Sequence, residues 1–320
     1  MRHYAKVWVR VPHAPPRLAP NKGAARVAGM KRILLWGRLG VAALLVAGAA
    51  FLFHTLYALS VPKPLALDPD EALAPQLDAW LAQLHEREQF NGVVSLGRAG
   101  EAVFRAAVGS TDKTGATALT PDASMRLGSV SKTFTATAVL TLVQEGRVDL
   151  DAPLSRYLPE CAFDGVTPRH LLQHRSGIAD DYMRIEHGGV VVGIADVVAH
   201  ACAPGRTAQN APSAVYSYSN TGFVLLAGLV ERVSGATFED YLHDAVLEPL
   251  GMRQSRVWTL QSTPADPAPT PTFLHWDRLP EAQPPGPLDG VSGDGAVHAS
   301  LLDLERYLRA WIDETVLSPA

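Results

Sequence analysis

The chain has 320 residues, 47% of them hydrophobic, which is enough for a sizeable core and excludes wholesale disorder. Its net charge of −4 hides an asymmetry: residues 1–67 hold 10 of the 28 Lys and Arg and no Asp or Glu, so the rest carries 18 basic against 32 acidic residues. An acidic body repels phosphate backbones and argues against a nucleic-acid partner, and two cysteines exclude a disulfide-dense scaffold and a four-cysteine zinc module.

Residues 1–38 form a basic tail on the cytoplasmic side. Its first 29 residues are polybasic and proline-bearing without periodicity; Met30-Lys31-Arg32 is a natural start by itself, so 1–29 reads as a start-site artefact or a short disordered tail. Leu39 to Leu59 follows with no formal charge, and at 1.5 Å per residue it reaches ~31 Å, about the thickness of a bilayer's hydrocarbon core. The basic, acid-free flank favours a transmembrane anchor over a buried core helix. Lys31, Arg32 and Arg38 then hold the N-terminus inside and place the acidic body in the periplasm or outside the cell. Ala58-Leu59-Ser60 offers small residues for a signal peptidase, but the apolar run is long for a signal peptide and favours an uncleaved anchor. A short linker, 60–69, leads into an exported domain over 70–320.

The domain begins with a helix from about Asp70 to Glu88, because Leu73, Leu77, Trp80, Leu81 and Leu84 share a face. The period then changes. Gly92–Gly97 and Ala102–Gly109 read as two strands joined by a turn at Arg98-Ala99-Gly100. Residues 110–122 are turn-rich. Helical spacing returns from Ser129 through Phe134, Ala138, Val139 and Leu142, and Gly146 supplies the stop. Thr167-Pro168 opens a short helix that ends at Ser176-Gly177. Further helices are expected over Thr221–Val233, closed by Gly235, and over Thr237–Leu247. Residues 264–287 carry 8 of the 24 prolines and form a long loop. Asp289–Gly295 is a glycine-rich turn, and Ser300 with Asp303 caps a last amphipathic helix through Ile312.

This order of elements predicts an α+β fold. Two strands do not make a stable sheet alone, so either the sheet gains strands later in the chain or the sequence is incomplete.

Chemistry is carried by two motifs. Ser129-Val-Ser-Lys132 puts a hydroxyl and an amine on one helix face, where the lysine can take the serine proton and the helix dipole favours the developing anion. With 17 Ser and 6 Lys, about 0.3 Ser-x-x-Lys occurrences are expected by chance, and there are three. Ser60 to Lys63 falls in the linker, and Ser110 to Lys113 begins a polar turn and reads as a solvated loop. Tyr218-Ser-Asn220 adds a phenol able to act as acid or base and an amide able to hold a substrate carbonyl. Its bland reading is a capping tripeptide before the Thr221 helix.

These motifs stand inside longer matching stretches: FNGVVSLGRAGEAVFRAAVG (90–109), MRLGSVSKTFTATAVLTLVQEGRVDLDAPLSRYLP (125–159), HLLQHRSG (170–177), YSNTGFVLLAGLVERVSG (218–235), EPLGM (248–252) and GDGAVHASLLDLERYLRAW (293–311). In this order they resemble the serine β-lactamase/penicillin-binding superfamily, specifically class C β-lactamase-like serine hydrolases and D-alanyl-D-alanine carboxypeptidases. The resemblance implies a β-lactamase/transpeptidase-like fold, with an antiparallel sheet flanked by helices and a helical subdomain. It implies Ser129 as the nucleophile and half of the oxyanion hole through its N–H, Lys132 as its activator, Tyr218 in proton transfer and Asn220 on the substrate amide. It implies no metal or organic cofactor. The expected substrates are a cell-wall peptide, a β-lactam or an ester, and the bilayer is contacted through residues 39–59.

The family's third motif, Lys-Thr-Gly or His-x-Gly, follows the tyrosine motif. Here Lys113-Thr114-Gly115 precedes Ser129 and reads as coincidence, no lysine follows Lys132, and His243, His275 and His298 lack a glycine two residues on. The C-terminal strands that bear this motif are therefore expected to be missing, with the chain truncated at Ala320. A non-catalytic protein of the same fold, binding cell-wall peptide or a partner, is the competing expectation. His174-Arg-Ser-Gly177 reads as a helix end rather than a site, the histidines lack zinc-ligand spacing, and pairing of Cys161 with Cys202 is left open.

Overall fold

The structure is a computed structural model and describes residues 65–69, 71–111, 115–261 and 286–317. The expected basic tail and anchor, Lys113, Thr114 and most of the proline-rich loop lie outside the described residues. Among the described residues, no single helix is long and apolar enough to cross a membrane.

Helix α1 (Leu73–Glu86) is shorter at both ends than its periodicity suggested. It buries Leu77, Leu81 and Leu84 and leaves Leu73 exposed. Strands β1 (Gly92–Arg98) and β2 (Glu101–Val108) pair antiparallel around Ala99 and Gly100, both at positive φ (51° and 80°), as a right-twisted two-residue hairpin turn requires. Successive residues of a strand face opposite ways. Val94 and Phe104 accordingly join Leu77 and Leu81 of α1, while Ser95 and Arg105 both donate to Glu305 of the last helix, α7 (Leu301–Ile312). The hairpin is thus sandwiched between α1 and α7, which resolves the marginal stability of two isolated strands.

The main core is helical. Helix α2 (Ser131–Gln144) is entered through a 3-10 turn, Gly128–Val130, and buries Phe134, Ala138, Val139 and Leu142. Gly146 at φ 70° ends this region as expected. Helix α3 (Pro168–Leu172) starts on a Thr167/His170 capping box but stops four residues before Ser176, because His174 takes a left-handed conformation at φ 56°. Helix α4 (Ile194–Ala201) was not legible in the sequence; its eight residues are too few for a clear period. Helix α5 (Asn220–Ser234) is buried continuously from Thr221 to Val230. An amphipathic stripe is therefore the wrong template for it, since a helix apolar all round is a central one. Gly228 brings α4 close: a Cβ there would lie 2.9 Å from Cγ2 of Val198. Helix α6 (Phe238–Leu242) loosens into a π turn over His243–Leu247, so the single helix expected over 237–247 is in two parts.

Three short strands escaped the sequence reading: β3 (Met125–Arg126), β4 (Arg256–Val257) and β5 (Val297–Ala299). They form a second antiparallel sheet in the order β3-β5-β4 rather than extending the hairpin. Segments of two or three residues carry no alternation to read. Cys161 and Cys202 form a disulfide with Cα atoms 4.7 Å apart, tying the segment after residues 154–156 to the end of α4.

Candidate active site

Ser129 lies in the 3-10 turn that leads into α2, where helix N–H groups lack intrahelical partners and the dipole is positive. The turn is anchored from both sides to β5. The Leu127 N–H donates to Val297 O at 2.9 Å, and the Val297 N–H donates to Ser131 Oγ at 3.0 Å. One turn on, Lys132 is 6% exposed. Its Nζ reaches Ser129 Oγ at 3.3 Å, Asn220 Oδ1 at 2.8 Å and the carbonyl of Asp294 at 2.8 Å. Tyr218 donates its phenol hydrogen to Ser129 Oγ at 2.8 Å, and the lysine Nζ stands 5.0 Å from the centre of the tyrosine ring. The four residues singled out in the sequence therefore meet at one point, although they come from two helix starts about 90 positions apart.

Asn220 and Tyr218 are placed by the start of α5. Ser219 caps it, accepting from the Gly222 N–H at 3.0 Å, and Asp180 accepts from the N–H of Thr221 at 2.8 Å. The Lys132 amine donates here through an N–H, which it keeps even when it takes up a proton from elsewhere, so the Asn220 atom facing it is the carbonyl oxygen, and the side-chain NH2 is left to donate elsewhere.

The third lysine acceptor comes from the glycine-rich turn at 289–295. Gly293 stands at φ 102°, and a Cβ there would lie 2.7 Å from both Ala227 Cβ and Phe223 O. Only glycine lets the loop press onto α5 this closely. Thr135 Oγ1 donates to Gly293 O at 2.6 Å, and Tyr182 donates to Asp294 Oδ2 at 2.8 Å. Burial pushes the Asp294 carboxyl up from the usual carboxylate range, and burial beside Asp294 pushes the Tyr182 phenol up. Asp180, Tyr182 and Asp294 were not singled out in the sequence. The glycines on either side of Asp294, in the matching stretch 293–311, were the signal there, and Tyr182 carried none.

The segment His174 to Gly177, read as a helix end, lies just beyond the end of α3, and His174 also touches the site. Its ring lies 4.5 Å from that of Tyr218, and its Nδ1 accepts from the Ser219 N–H at 3.1 Å. Burial, with the Lys132 charge adding to it, lowers the His174 pKa below the ordinary histidine value. Among the described residues, no group of three or more His, Cys, Asp or Glu is placed to hold a metal ion.

The arrangement presents one hydroxyl, Ser129, between an amine and a phenol, each within reach of its proton. Residues 77–320 match the family model described as Beta-lactamase. The chain is 31% identical to Penicillin-binding protein 4* of Bacillus subtilis over 76% of this chain and 57% of that protein. It is 36% identical to Esterase EstB of Burkholderia gladioli over 59% of this chain and 53% of that protein. The octameric penicillin-binding protein homologue from Pyrococcus abyssi superposes with a TM-score of 0.63 at 28% identity, covering 75% of this chain and 56% of that one. The chain thus spans little more than half the length of the curated relatives it matches.

Proposed function

The chain belongs to the beta-lactamase family, and from that premise we propose that it is a serine hydrolase of the class C β-lactamase-like group, acting through an acyl-Ser129 intermediate. The observation that carries this reading is the position of Ser129 Oγ, 2.8 Å from the Tyr218 hydroxyl and 3.3 Å from Lys132 Nζ.

In the proposed reaction, Ser129 Oγ attacks the carbonyl carbon of an amide, β-lactam or ester. The serine proton passes to the Lys132–Tyr218 pair, and Tyr218 returns a proton to the leaving nitrogen or oxygen. Water then attacks the acyl-enzyme with the same pair accepting its proton, and Oγ leaves with a proton restored. The Asn220 NH2, turned outward because its oxygen faces Lys132, donates to the acyl-group carbonyl. The Ser129 N–H, at the start of α2, contributes to the oxyanion site.

The substrate range rests on the relatives, one described as a penicillin-binding protein and another as an esterase. We place the reaction outside the cytoplasm, at the inner membrane. Support comes from the charge-free run at 39–59 behind a basic flank, and from the Cys161–Cys202 disulfide, a bond that persists in oxidising compartments. Purified full chain given a chromogenic cephalosporin, a p-nitrophenyl ester and a D-alanine amide tests the proposal. Turnover of at least one, lost in Ser129→Ala, is expected; turnover retained in Ser129→Ala would overturn it.

A further inference from the structure

Tyr218 lies in the stretch 211–219, which has no regular secondary structure to hold its phenol on Ser129. The backbone on either side of it is held by one residue. The Ser217 N–H donates to the His174 carbonyl at 2.8 Å, and the Ser219 N–H donates to His174 Nδ1 at 3.1 Å. The His174 ring then lies against the Tyr218 ring at 4.5 Å, with Phe223 at 5.0 Å on the same imidazole. For carbonyl and ring to reach two amides on alternate residues, His174 adopts φ 56°, a conformation uncommon for any residue but glycine. The neighbouring Arg175 extends the seam, since its carbonyl accepts from the Ser213 N–H at 2.9 Å and its guanidinium donates to Ser213 O at 3.0 Å.

We propose that His174 is a positioning residue for the reaction: in its neutral form it clamps the backbone on both sides of Tyr218 and so keeps the phenol within hydrogen-bond distance of Ser129. This inference rests on the reading of Ser129 as nucleophile. A backbone N–H can only donate, so Nδ1 must carry its lone pair, and the ring must be the neutral Nε2–H tautomer or lose the bond. The charged and titratable groups bearing on it agree in sum. Burial and Lys132 from α2 oppose a proton on the ring, Asp180 from the segment after α3 favours one, and the rings of Tyr216 and Tyr218 lie beside it. Protonation at Nδ1 would put two donors face to face and release the Ser219 end of the clamp. In acid, acylation of Ser129 should therefore fall partly because Tyr218 is no longer held in place.

Two substitutions separate positioning from mere folding. Asparagine at this position presents Oδ1 near the place of Nδ1, accepts the left-handed backbone and does not titrate; alanine supplies no acceptor. Two readouts are needed on the purified full chain: the rate of Ser129 acylation by a fluorescent penicillin or fluorophosphonate, and hydrogen exchange at the Ser217 and Ser219 amides. His174→Ala is expected to slow acylation about ten-fold or more, with the half-saturating probe concentration moving less than about three-fold, because a displaced phenol affects the step and not the encounter. The Ser219 amide should exchange faster, more so than Ser217. His174→Asn should restore both the rate and the protection, and should remove the part of the acid limb that His174 causes.

Acylation by His174→Ala at the wild-type rate would overturn the proposal while leaving the nucleophile assignment intact. An Asn variant as slow as the Ala variant, with Ser219 protected in both, would overturn it as well. If the wild-type chain takes no probe, the nucleophile assignment fails, and exchange alone decides the clamp: Ser219 protection lost in Ala and kept in Asn supports it, and protection unchanged in Ala refutes it.

Discussion

Lys132 and Asn220 stand 88 residues apart in the chain, yet Nζ of one lies 2.8 Å from Oδ1 of the other. The contact ties the first turn of α2 to the first turn of α5, the two helices that meet in the middle of the core. It also sets the polarity of the site, because a donor on Lys132 turns the asparagine oxygen inward and its NH2 outward.

The lysine is the most constrained side chain at the site. Lys132→Ala removes the donor to Asn220 Oδ1 and to the buried Asp294 carbonyl together. Leaving these acceptors unmet is expected to cost about 1–3 kcal/mol of stability, and loss of the proton acceptor about 100-fold or more in Ser129 acylation. Tyr218→Phe is expected to behave differently. Tyr218 is 43% exposed, so the melting temperature of this variant should stay close to wild type while acylation drops about 100-fold. Thermal melts and probe kinetics on both variants check this; equal stability losses in the two, or unimpaired acylation in either, would be inconsistent with the assigned roles.

Gly293→Ala tests the loop that carries the lysine's third acceptor. The new methyl would meet Ala227 Cβ and Phe223 O, both at 2.7 Å, on a backbone already at φ 102°. The loop must retreat from α5, and the Asp294 carbonyl retreats with it. A loss of about 2 kcal/mol or more in chemical denaturation is expected, with slower acylation in the protein that remains folded. Full stability with normal acylation would mean that the loop does not hold Lys132.

The residues that meet at the candidate site were legible in the sequence and their supports were not. Ser129, Lys132, Tyr218 and Asn220 lie in short motifs at or just before helix starts, inside longer stretches that resemble the family, and the two together are enough to single them out. Asp180, Tyr182 and Asp294 act through contacts 39–162 residues distant, and one of those contacts, from Lys132 to the Asp294 carbonyl, uses a backbone atom that every residue type possesses. His174 shows the same limit. Its role depends on a left-handed backbone that no local periodicity encodes, and the end of α3 was misjudged at the same place. Strands of two or three residues escaped for want of length.

The disulfide should matter for stability and not for chemistry. It closes a 41-residue separation, for which loop entropy gives about 4 kcal/mol at most. Replacing Cys161 and Cys202 together by alanine, or adding reductant, is expected to lower the melting temperature and leave the acylation rate of the folded protein within about two-fold. A large loss of rate without loss of stability would show that the cross-link shapes the site.

His298, at the centre of the small β3-β5-β4 sheet, is pushed down to about 4, chiefly by burial. Its unfolded value lies near 6.5. The folded state therefore holds fewer protons between these limits: the contribution is complete above about pH 6.5 and is lost as pH falls toward 4, to a total of order 3 kcal/mol. Denaturation midpoints from pH 7.5 to 4.5 should fall more steeply for wild type than for His298→Gln. Parallel curves would show that His298 is not the group responsible.

The central claim is that Ser129 becomes acylated. Intact-mass analysis of the full chain after incubation with benzylpenicillin or a fluorophosphonate, followed by peptide mapping, tests it most directly. One adduct per chain on the peptide containing Ser129, absent in Ser129→Ala of unchanged melting temperature, is the predicted result. An adduct that survives in Ser129→Ala, or folded wild-type protein that takes up neither reagent, would contradict it.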